Sequence, residues 1–356
     1  MQASNPLVSV LMPCYNVERY VEESLNSILG QTYSNLEIIV IDDCSTDKTL
    51  AILEKMAERD QRIKIYRNET NLKLIATLNK GIDLCNGKYI ARMDADDIAL
   101  PERLKKEVDF LEQHPDYDIV STMFYTFHEG KKKQHLYINP ERYEEIQAFI
   151  LFKSCVCHPA VMIRRSMFQN LDLKFEEKYL HVEDYALWSK AVYKTKIANI
   201  NEPLLLYRVH KAQISSLYEQ KQRENKIEVF KIHCRHLGLD SSPDFMDVYA
   251  SVAESVPLYP TFEYLSQCES FMKKLIALNT DKSFCSDEYL KKMLSLHWIR
   301  LCANSRLGLK VLKRCYASEL YSKENYTKQD YIILYIKCLF KLEYKKSFIY
   351  KLIFRS

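Results

Sequence analysis

Glycine is scarce in this chain, and its positions argue against two common classes of nucleotide-binding protein. Six glycines occur among 356 residues, and no two are spaced as in Gly-x-Gly-x-x-Gly or a phosphate-binding P-loop. A nicotinamide-dependent dehydrogenase, a P-loop kinase and a nucleotidyltransferase with a glycine-rich loop are therefore disfavoured. Long apolar runs are missing as well. No window reaches about 18 uninterrupted apolar residues, so no transmembrane helix is predicted.

Paired cysteines are also missing. The eleven cysteines are scattered, odd in number and contain no Cys-x-x-Cys pair. Cys155 and Cys157 lie close together, but no second pair is present to complete a zinc site. We therefore interpret the cysteines as reduced thiols in a cytoplasmic protein. The short polar start, Met1 to Pro6, is unlike a signal peptide and agrees with that localisation.

Positive charge is concentrated near the C-terminal end. After Asp330 there are six Lys or Arg residues and one Glu, which gives +5; the net charge is +4, so the remainder sums to −1. On a helical wheel, one stripe of the final segment is basic and much of the rest is apolar or aromatic, as in helices at an anionic membrane surface. The basic stripe is Lys337, Lys341, Lys345, Lys351 and Arg355. Docking on its own domain or on a second subunit is the alternative, and no nucleic-acid partner is predicted.

Strand and helix patterns alternate through the first 120 residues. Apolar runs at Leu7 to Met12, closed by Pro13, at Leu36 to Ile41 and at Lys88 to Met93 predict buried strands, with helical periodicity between them. Such strands indicate an α/β fold with a Rossmann-like, mainly parallel sheet and helices on both faces. From residue 219 the pattern is helical. We therefore predict an α/β domain over residues 1–218 and an α-helical domain over residues 219–356.

Acidic residues directly follow two of these strands. Asp42 and Asp43 follow the second strand, and Asp94, Asp96 and Asp97 follow the strand that ends at Met93. Ligands of parallel α/β sheets bind at the carboxyl ends of the strands, so both groups are expected at the same edge. Three close carboxylates repel one another unless a cation lies among them, and hard oxygen ligands suit Mg²⁺ or Mn²⁺. The alternative is an acidic turn in which one Asp, for instance Asp97, caps the following segment.

Several motifs follow one another in a fixed order. They are Val8-Ser9-Val10-Leu11-Met12-Pro13-Cys14-Tyr15-Asn16, Asp42-Asp43-Cys44-Ser45-Thr46-Asp47, Arg67-Asn68, Asn79-Lys80-Gly81, Tyr89-Ile90-Ala91-Arg92-Met93-Asp94-Ala95-Asp96-Asp97, Pro101-Glu102-Arg103, His158-Pro159-Ala160, Glu183-Asp184-Tyr185 and Tyr207-Arg208-Val209-His210. Together they resemble family 2 glycosyltransferases, an inverting group with the GT-A fold, over about residues 6 to 216. The resemblance implies transfer from a nucleotide sugar, with a UDP-sugar the expected donor, to a saccharide or lipid-linked saccharide. It also implies Mg²⁺ or Mn²⁺ on the diphosphate.

The resemblance further implies which residues meet the donor. Asp43 is expected to accept a hydrogen bond from uracil N3, Asp94 to lie towards the ribose and Asp96 to bind the metal. The residues expected around the nucleotide are Pro13, Tyr15, Asn16, Asp43, Arg67, Lys80 and Asp94. A simple strand-ending turn at Pro13 to Asn16 and a solvated helix face for Lys80 are the alternatives. Asp42 either shares the role of Asp43 or caps the next helix.

Inversion at an anomeric carbon requires a carboxylate that deprotonates the attacking hydroxyl. By resemblance this catalytic base is Asp184, with Glu183 beside it; an acid pair favoured by the helix dipole is the alternative. His158 is expected either to contact the acceptor or to pack as a buried histidine. Arg208 and His210 alternate on a predicted strand and share one face, which either meets the diphosphate or forms structural ion pairs.

One position departs from the family pattern. Many members have Asn-x-Gly where this chain has Asn71-Leu72-Lys73. Loss of the glycine can change the turn, and it leaves open the contact that Asn71 would make. The alternative function is a non-catalytic GT-A protein that binds a nucleotide or scaffolds a polysaccharide assembly complex. The presence of Asp94, Asp96 and Asp184 favours the enzyme, working in the cytoplasm or peripherally at the inner face of the plasma membrane.

Overall fold

The computed structural model describes residues 5–130, 134–210 and 219–342. The strands in these ranges are β1 Val8–Cys14, β2 Leu36–Asp42, β3 Ile63–Arg67, β4 Tyr89–Arg92, β5 Ile98–Ala99, β6 Tyr117–Phe127, β7 His135–Tyr137, β8 Val161–Arg164 and β9 Lys196–Arg208. The helices are α1 Val21–Leu29, α2 Thr49–Ala57, α3 Lys73–Leu84, α4 Arg103–Gln113, α5 Tyr143–Phe149, α6 Ser166–Asn170, α7 Glu183–Ala191, α8 Glu219–Leu237, α9 Pro243–Glu254, α10 Phe262–Lys282, α11 Asp287–Asn304, α12 Lys310–Ala317 and α13 Lys328–Phe340.

The described strands form one sheet in the order β3-β2-β1-β4-β8-β6-β9-β5, with β7 paired to β6. The first four strands in this order are parallel. β8 is antiparallel to both β4 and β6, and β9 is parallel to β6. β1 to β4, β6 and β9 therefore all run in one direction, which confirms the predicted α/β fold with a mainly parallel sheet. Their carboxyl ends lie at one edge of that sheet.

The sheet core follows from the apolar runs. All seven residues of β2 are buried, as expected for a strand covered by helices on both faces. α1 buries Val21, Leu25 and Ile28, which share one side of a helix. The apolar pattern before α1 begins at Val17, but Val17 lies in a turn and its backbone N–H donates to Oγ1 of Thr49 at 2.8 Å. The start of α1 is thereby fixed to the start of α2.

Some strand bounds differ from those expected. β1 continues through Pro13 to Cys14. β4 pairs with β1 only as far as Leu11, so the missing N–H of Pro13 removes no ladder bond on that side. β9 begins at Lys196, eight residues before the predicted start at Leu204. The short strands β5 and β7 were not predicted, because two or three residues carry no detectable period.

The chain divides into two compact units. The first covers Met1–Tyr143 and Ser154–Val229, and the second covers Glu144–Lys153 and Phe230–Ser356. Within the second unit, the hydroxyl of Tyr249 donates to the carbonyl of Leu151 at 2.8 Å, which ties the segment after α5 to α9. The units thus differ from the predicted division at residue 218, which stays a prediction about domains.

The second unit contains the helices after α8. α10 and α11 bury Leu265, Leu275, Leu294 and Trp298. The indole N–H of Trp298 donates to the carbonyl of Cys315 at 3.1 Å, so this large buried ring leaves no polar atom unsatisfied. Within the described ranges, no helix is both long and apolar enough to cross a bilayer.

The first residue of the predicted basic stripe at the C-terminal end does not lie where the sequence predicted. Lys337 is buried, and its Nζ donates to Oδ1 of Asn304 at 3.0 Å. α13 ends at Phe340, because Lys341 adopts a left-handed conformation with φ 48°. The prediction of a single helix with Lys337 on an exposed basic stripe is therefore wrong. Lys345, Lys351 and Arg355 lie outside the described residues.

Candidate active site

The loop after β1 is tied to the loop after β2. The backbone N–H of Asp43 donates to the carbonyl of Cys14 at 2.8 Å. Asn16 holds a left-handed φ of 52°, and its Oδ1 accepts the backbone N–H of Thr46 at 2.8 Å. Tyr15 projects beside it with 47% of its surface exposed. Pro13, Tyr15 and Asn16 are thus placed at the carboxyl edge of the sheet, next to Asp43.

Asp43 organises the loop between β3 and α3. Its Oδ1 accepts the side-chain amide of Asn68 and the backbone N–H of Leu72, both at 2.8 Å. Its Oδ2 accepts the backbone N–H of Lys73 at 2.9 Å. Lys80 joins the same network, because its Nζ donates to Oδ1 of Asn68 at 2.7 Å. Lys80 is therefore more than a solvated residue on a helix face.

Asp42 lies behind Asp43 and is fully buried. Its Oδ2 accepts the backbone N–H of Ser45 at 3.2 Å and lies 3.5 Å from Nε of the half-exposed Arg67. Asp42 thus holds the turn that follows β2, and it does not cap α2, whose N-cap residue is Lys48. Arg67 stands at the end of β3, beside Asp42 and next to Asn68.

Lys73 keeps the backbone conformation of the glycine that it replaces in the family pattern. Its φ is 68°, in the left-handed region that glycine adopts without penalty. Its N–H lies 3.0 Å from Oδ1 of Asn71 as well as 2.9 Å from Asp43. The turn is therefore retained, and Asn71 contacts the turn itself.

The acid cluster lies after β4. One carboxylate oxygen from each of Asp94, Asp96 and Asp97 lies within 4.8 Å of the others. Arg92, at the end of β4, forms a buried ion pair with Asp94. Oδ1 of Asp97 accepts the backbone N–H of Arg208 at 2.8 Å. Asp97 therefore joins β9 to the cluster and does not cap the following helix, which corrects the expected alternative.

The cluster has a surplus of negative charge. Burial, reinforced by Asp96 and Asp94, raises the pKa of Asp97 well above its usual value. Oδ2 of Asp97 is buried and has no hydrogen-bond partner among the described residues. An orphaned buried carboxylate oxygen beside two further carboxylates fits a hard divalent cation such as Mg²⁺ or Mn²⁺. Asp96 and Asp97 are the residues best placed to hold it, because Arg92 already neutralises Asp94.

Arg208 and His210 both reach the acid cluster from β9 and the residues after it. Nε of Arg208 donates to the carbonyl of Asp96 at 2.7 Å, and Nε2 of His210 lies 2.9 Å from Oδ2 of Asp96. The guanidinium of Arg208 also lies 2.5 Å from Glu23 and 4.8 Å from the ring centre of Tyr20. Arg208 and His210, which were predicted to share one face of a strand, therefore both lie beside Asp96.

Glu183 and Asp184 begin α7. Burial, followed by the charge of Asp184, raises the pKa of Glu183 to about 7. Asp184 is half-buried, and burial raises its pKa, whereas the backbone N–H of Tyr185 and then Arg92 oppose that rise. Arg92 acts electrostatically on Asp94, Asp96 and Asp97 too. One buried guanidinium thus connects the acid cluster with the two acids of α7.

His158 is buried beneath α7. Its ring lies 5.4 Å from that of Phe175 and 6.1 Å from that of Trp188, measured between centroids. Burial and then Arg92 lower the pKa of His158 well below its usual value, so the ring is neutral. This environment is that of a packed histidine, the second of the two expectations for it.

Some contacts at the site were not predicted from the sequence. Oγ of Ser24 in α1 donates to the carbonyl of Asp94 at 2.9 Å. Glu23, on the same helix, pairs with Arg208 across 185 residues of chain. Ser24 and Glu23 carry no local motif, and only the packing of α1 against the cluster brings them into the site. Asn68 belongs to one of the motifs in the sequence, but the sequence did not predict that its side chain would lie between Asp43 and Lys80.

Comparison with known proteins agrees with this fold and site. The model of the family described as glycosyl transferase family 2 matches residues 9–172. An uncharacterized glycosyltransferase of Haemophilus influenzae is 36% identical over 260 residues, covering 68% of this chain and 80% of the relative. A solved structure of S. aureus TarS in complex with UDP-GlcNAc has a TM-score of 0.54 and 20% identity, covering 90% of this chain and 89% of that one.

A second solved structure, a mannosyltransferase from Pyrobaculum calidifontis in complex with GDP-Man and Mn²⁺, has a TM-score of 0.52 and 16% identity. The alignment of the two covers 84% of this chain and 88% of the mannosyltransferase chain. These likenesses to solved structures establish the GT-A fold. The fold and the site define a glycosyltransferase. The chain belongs to glycosyl transferase family 2.

Proposed function

We propose that this protein is an inverting, metal-dependent transferase that moves a sugar from a UDP-sugar to a saccharide or lipid-linked saccharide. The observation that carries the proposal is the pairing of two acidic centres through Arg92. Arg92 forms an ion pair with Asp94 of the acid cluster, and it also acts electrostatically on Asp184. One centre suits a leaving diphosphate and the other suits an attacking hydroxyl.

Asp184 is the proposed catalytic base. The acceptor hydroxyl gives its proton to the carboxylate of Asp184 as its oxygen forms a bond to the anomeric carbon. The bond between that carbon and the diphosphate oxygen breaks on the opposite face, and the electron pair leaves with UDP. Burial raises the pKa of Asp184 above its usual value, which makes the carboxylate a stronger base. Glu183, largely buried beside it, has its own pKa raised to about 7 by burial and then by the charge of Asp184.

The donor site is proposed at the carboxyl ends of β1 to β4. Asp43 already accepts three N–H groups, yet a carboxylate has about four acceptor positions, which leaves one for uracil N3. Pro13, Tyr15 and Asn16 would lie against the base, and Arg67 and Lys80 supply positive charge nearby. Asp94 would face the ribose. The UDP-GlcNAc complex of the similar TarS structure supports the choice of UDP.

A divalent cation is proposed at Asp96, with Asp97 as a further oxygen ligand. When bound, it would neutralise charge that develops on the departing diphosphate. Arg208 and His210, both beside Asp96, would contact that diphosphate. The Mn²⁺ recorded for the similar mannosyltransferase supports this assignment.

Peripheral contact with an anionic membrane is proposed for the second unit. Its support is the outward face of α13, where Ile332, Tyr335, Leu339 and Phe340 are all about half exposed. Ile332, Tyr335 and Leu339 are spaced by three and four positions, and Phe340 directly follows Leu339, so the four lie on one side of the helix. The opposite side is buried with Leu334 and Cys338. A helix that is apolar on both sides needs a cover on its outer side. Without the buried Lys337, five Lys or Arg residues and one Glu after Asp330 leave a charge of +4, which favours an anionic lipid surface as that cover.

The experiment that tests the reaction is a screen of nucleotide sugars for Mn²⁺-dependent release of UDP or another nucleotide, followed by Asp184→Asn. The variant is expected to lose turnover while it keeps its affinity for UDP. Asp109→Asn, an exposed acid on α4, is the matched control and should retain both. Turnover retained in Asp184→Asn would rule out the assigned base. If the wild type binds UDP but turns over none of the donors tested, the non-catalytic alternative is favoured.

A further inference from the structure

Three aromatic rings form a row that is not used by the proposed donor site. The rings of Tyr137 and Phe124 are stacked, with centroids 4.9 Å apart and an interplanar angle of 4°. The ring of Phe124 lies 5.9 Å from that of Tyr207. We call Tyr137, Phe124 and Tyr207 the aromatic row. It crosses three neighbouring strands, β7, β6 and β9.

The strand register explains why these rings share one face. Phe124 is directly opposite Tyr137 on β7, and Thr126, two residues further on, is opposite Tyr207 on β9. Side chains two residues apart on a strand point to the same side of a sheet. The row therefore lies on one face, near the carboxyl end of β6.

One end of the row is at the acid cluster. Burial and then the charges of Asp94 and Asp97 raise the pKa of the Tyr207 hydroxyl, so this side chain lies within electrostatic reach of the acid cluster. The next residue, Arg208, donates its backbone N–H to Asp97 at 2.8 Å. Tyr207 and Phe124 also pack against the core group that contains Met93 and Ala95, on either side of Asp94. Phe124 and Tyr207 are thus fixed by the core, and they lead away from the residues proposed to hold the diphosphate.

The other end of the row is at the surface. Tyr137 is 40% exposed although it is stacked on Phe124. The edge of His135 meets the Tyr137 ring at 5.0 Å and 85°. A cross-strand aromatic pair stabilises a hairpin. That role accounts for the Phe124–Tyr137 stack, and packing against the core holds Phe124 and Tyr207 in place.

We propose that the aromatic row is the acceptor subsite and that it binds a saccharide with pyranose rings. The inference rests on the proposed glycosyl transfer. A pyranose has faces of C–H groups, and the electron-rich face of an aromatic ring attracts such weakly positive groups while it buries their apolar surface. Ligand sites combine aromatic walls of this kind with a few polar groups. A sugar that begins on the exposed ring of Tyr137 would extend past Phe124 and Tyr207 towards the acid cluster.

The test is saturation-transfer NMR with three disaccharide probes: lactose, cellobiose and N,N′-diacetylchitobiose. At least one is expected to receive saturation at its ring C–H protons from the wild type. Tyr137→Ala should weaken the binding of that probe by at least about twofold, because it loses one aromatic contact. Tyr137→Phe should retain binding, because it keeps the ring. Ile138→Ala, which removes the next exposed side chain, should have no effect.

The affinity for UDP, measured on the same samples, shows that each variant is folded and that its donor site is intact. Equal saturation with the wild type and Tyr137→Ala would overturn the proposal, as would the absence of saturation for all three probes. Because binding requires no turnover, this result is separate from the reaction. A wild type that binds a disaccharide but releases no UDP from any donor would contradict the proposed function and leave the subsite supported.

Discussion

The backbone N–H of Lys73 donates to Oδ2 of Asp43 at 2.9 Å, while Lys73 holds a left-handed φ of 68°. This one bond joins the acid proposed to read the base to the turn in which the family pattern has glycine. The left-handed conformation costs a lysine roughly 1–2 kcal/mol. The chain thus keeps the geometry of the donor site at the expense of local backbone strain.

Lys73→Gly is therefore expected to stabilise the protein. Glycine removes the left-handed penalty but gains about 0.5–1 kcal/mol of conformational freedom in the unfolded chain. The net increase in the free energy of unfolding should be ~0.5–1 kcal/mol, measured by urea denaturation. Lys55→Gly, at an exposed position inside α2, is the control and should lose about 1 kcal/mol. Equal losses in both variants would show that Lys73 is not strained.

The parts of the site that were predictable are those with a local pattern. Asp43, Asp94 and Asp96 follow buried apolar strands, and parallel strands place their ends at one edge whatever the loops do. Asp184 could be placed at a helix start from its neighbours in sequence. Its electrostatic link to the acid cluster through Arg92 could not, because that depends on how α7 packs on the sheet.

Contacts between distant segments were not predictable. Glu23 and Arg208 are ordinary charged residues in their own segments, and their pairing depends on the packing of α1 beside β9. Lys337 shows the opposite error. Its charge and helical spacing indicated a solvated stripe, but the buried amide oxygen of Asn304 accepts its ammonium group. A helical wheel shows which residues share one side of a helix, but it does not show which side is covered by the rest of the protein.

Removal of Asp96 should abolish the effect of metal on nucleotide binding. Calorimetry of UDP with the wild type is expected to show an affinity at least ~10-fold higher with Mn²⁺ than without it, equivalent to about 1.4 kcal/mol. Asp96→Asn should lose this difference, because it lacks a charged oxygen ligand for the cation. Asp109→Asn, whose carboxylate pairs with Lys105 on the surface, should behave as the wild type does. A metal effect that survives in Asp96→Asn would place the cation elsewhere.

Glu183 should make stability fall as the pH rises. Its pKa is raised from 4.5 to about 7 in the folded protein, chiefly by burial and then by Asp184. Between these two values the folded state holds a proton that the unfolded state has released, so the contribution of Glu183 is present below pH 4.5 and lost as pH approaches 7. Glu183→Gln cannot ionise and should gain up to ~3 kcal/mol relative to the wild type across this window.

This difference is measured by urea denaturation of both proteins at several pH values. Glu107 also has a pKa raised to about 7 by burial, but it is common to both proteins and cancels in the comparison. A stability difference that stays constant with pH would show that Glu183 has the same pKa in the folded and the unfolded protein.

Loss of the outward apolar residues of α13 should release the protein from anionic vesicles. The full chain is expected to sediment with vesicles of phosphatidylcholine and phosphatidylglycerol, and less with phosphatidylcholine alone. The reason is that the residues after Asp330, without the buried Lys337, carry a charge of +4 that is attracted to anionic lipid. Ile332→Ser with Leu339→Ser removes two exposed aliphatic side chains, each worth about 1–2 kcal/mol when buried in lipid, and should lower binding at least tenfold. Leu258→Ser, at a similarly exposed leucine of the same unit, is the matched control and should bind normally. If the wild type stays in the supernatant with both lipid mixtures, a membrane surface is not the cover of α13. If the wild type instead forms a concentration-dependent dimer that the double variant does not form, a second copy of the chain is that cover.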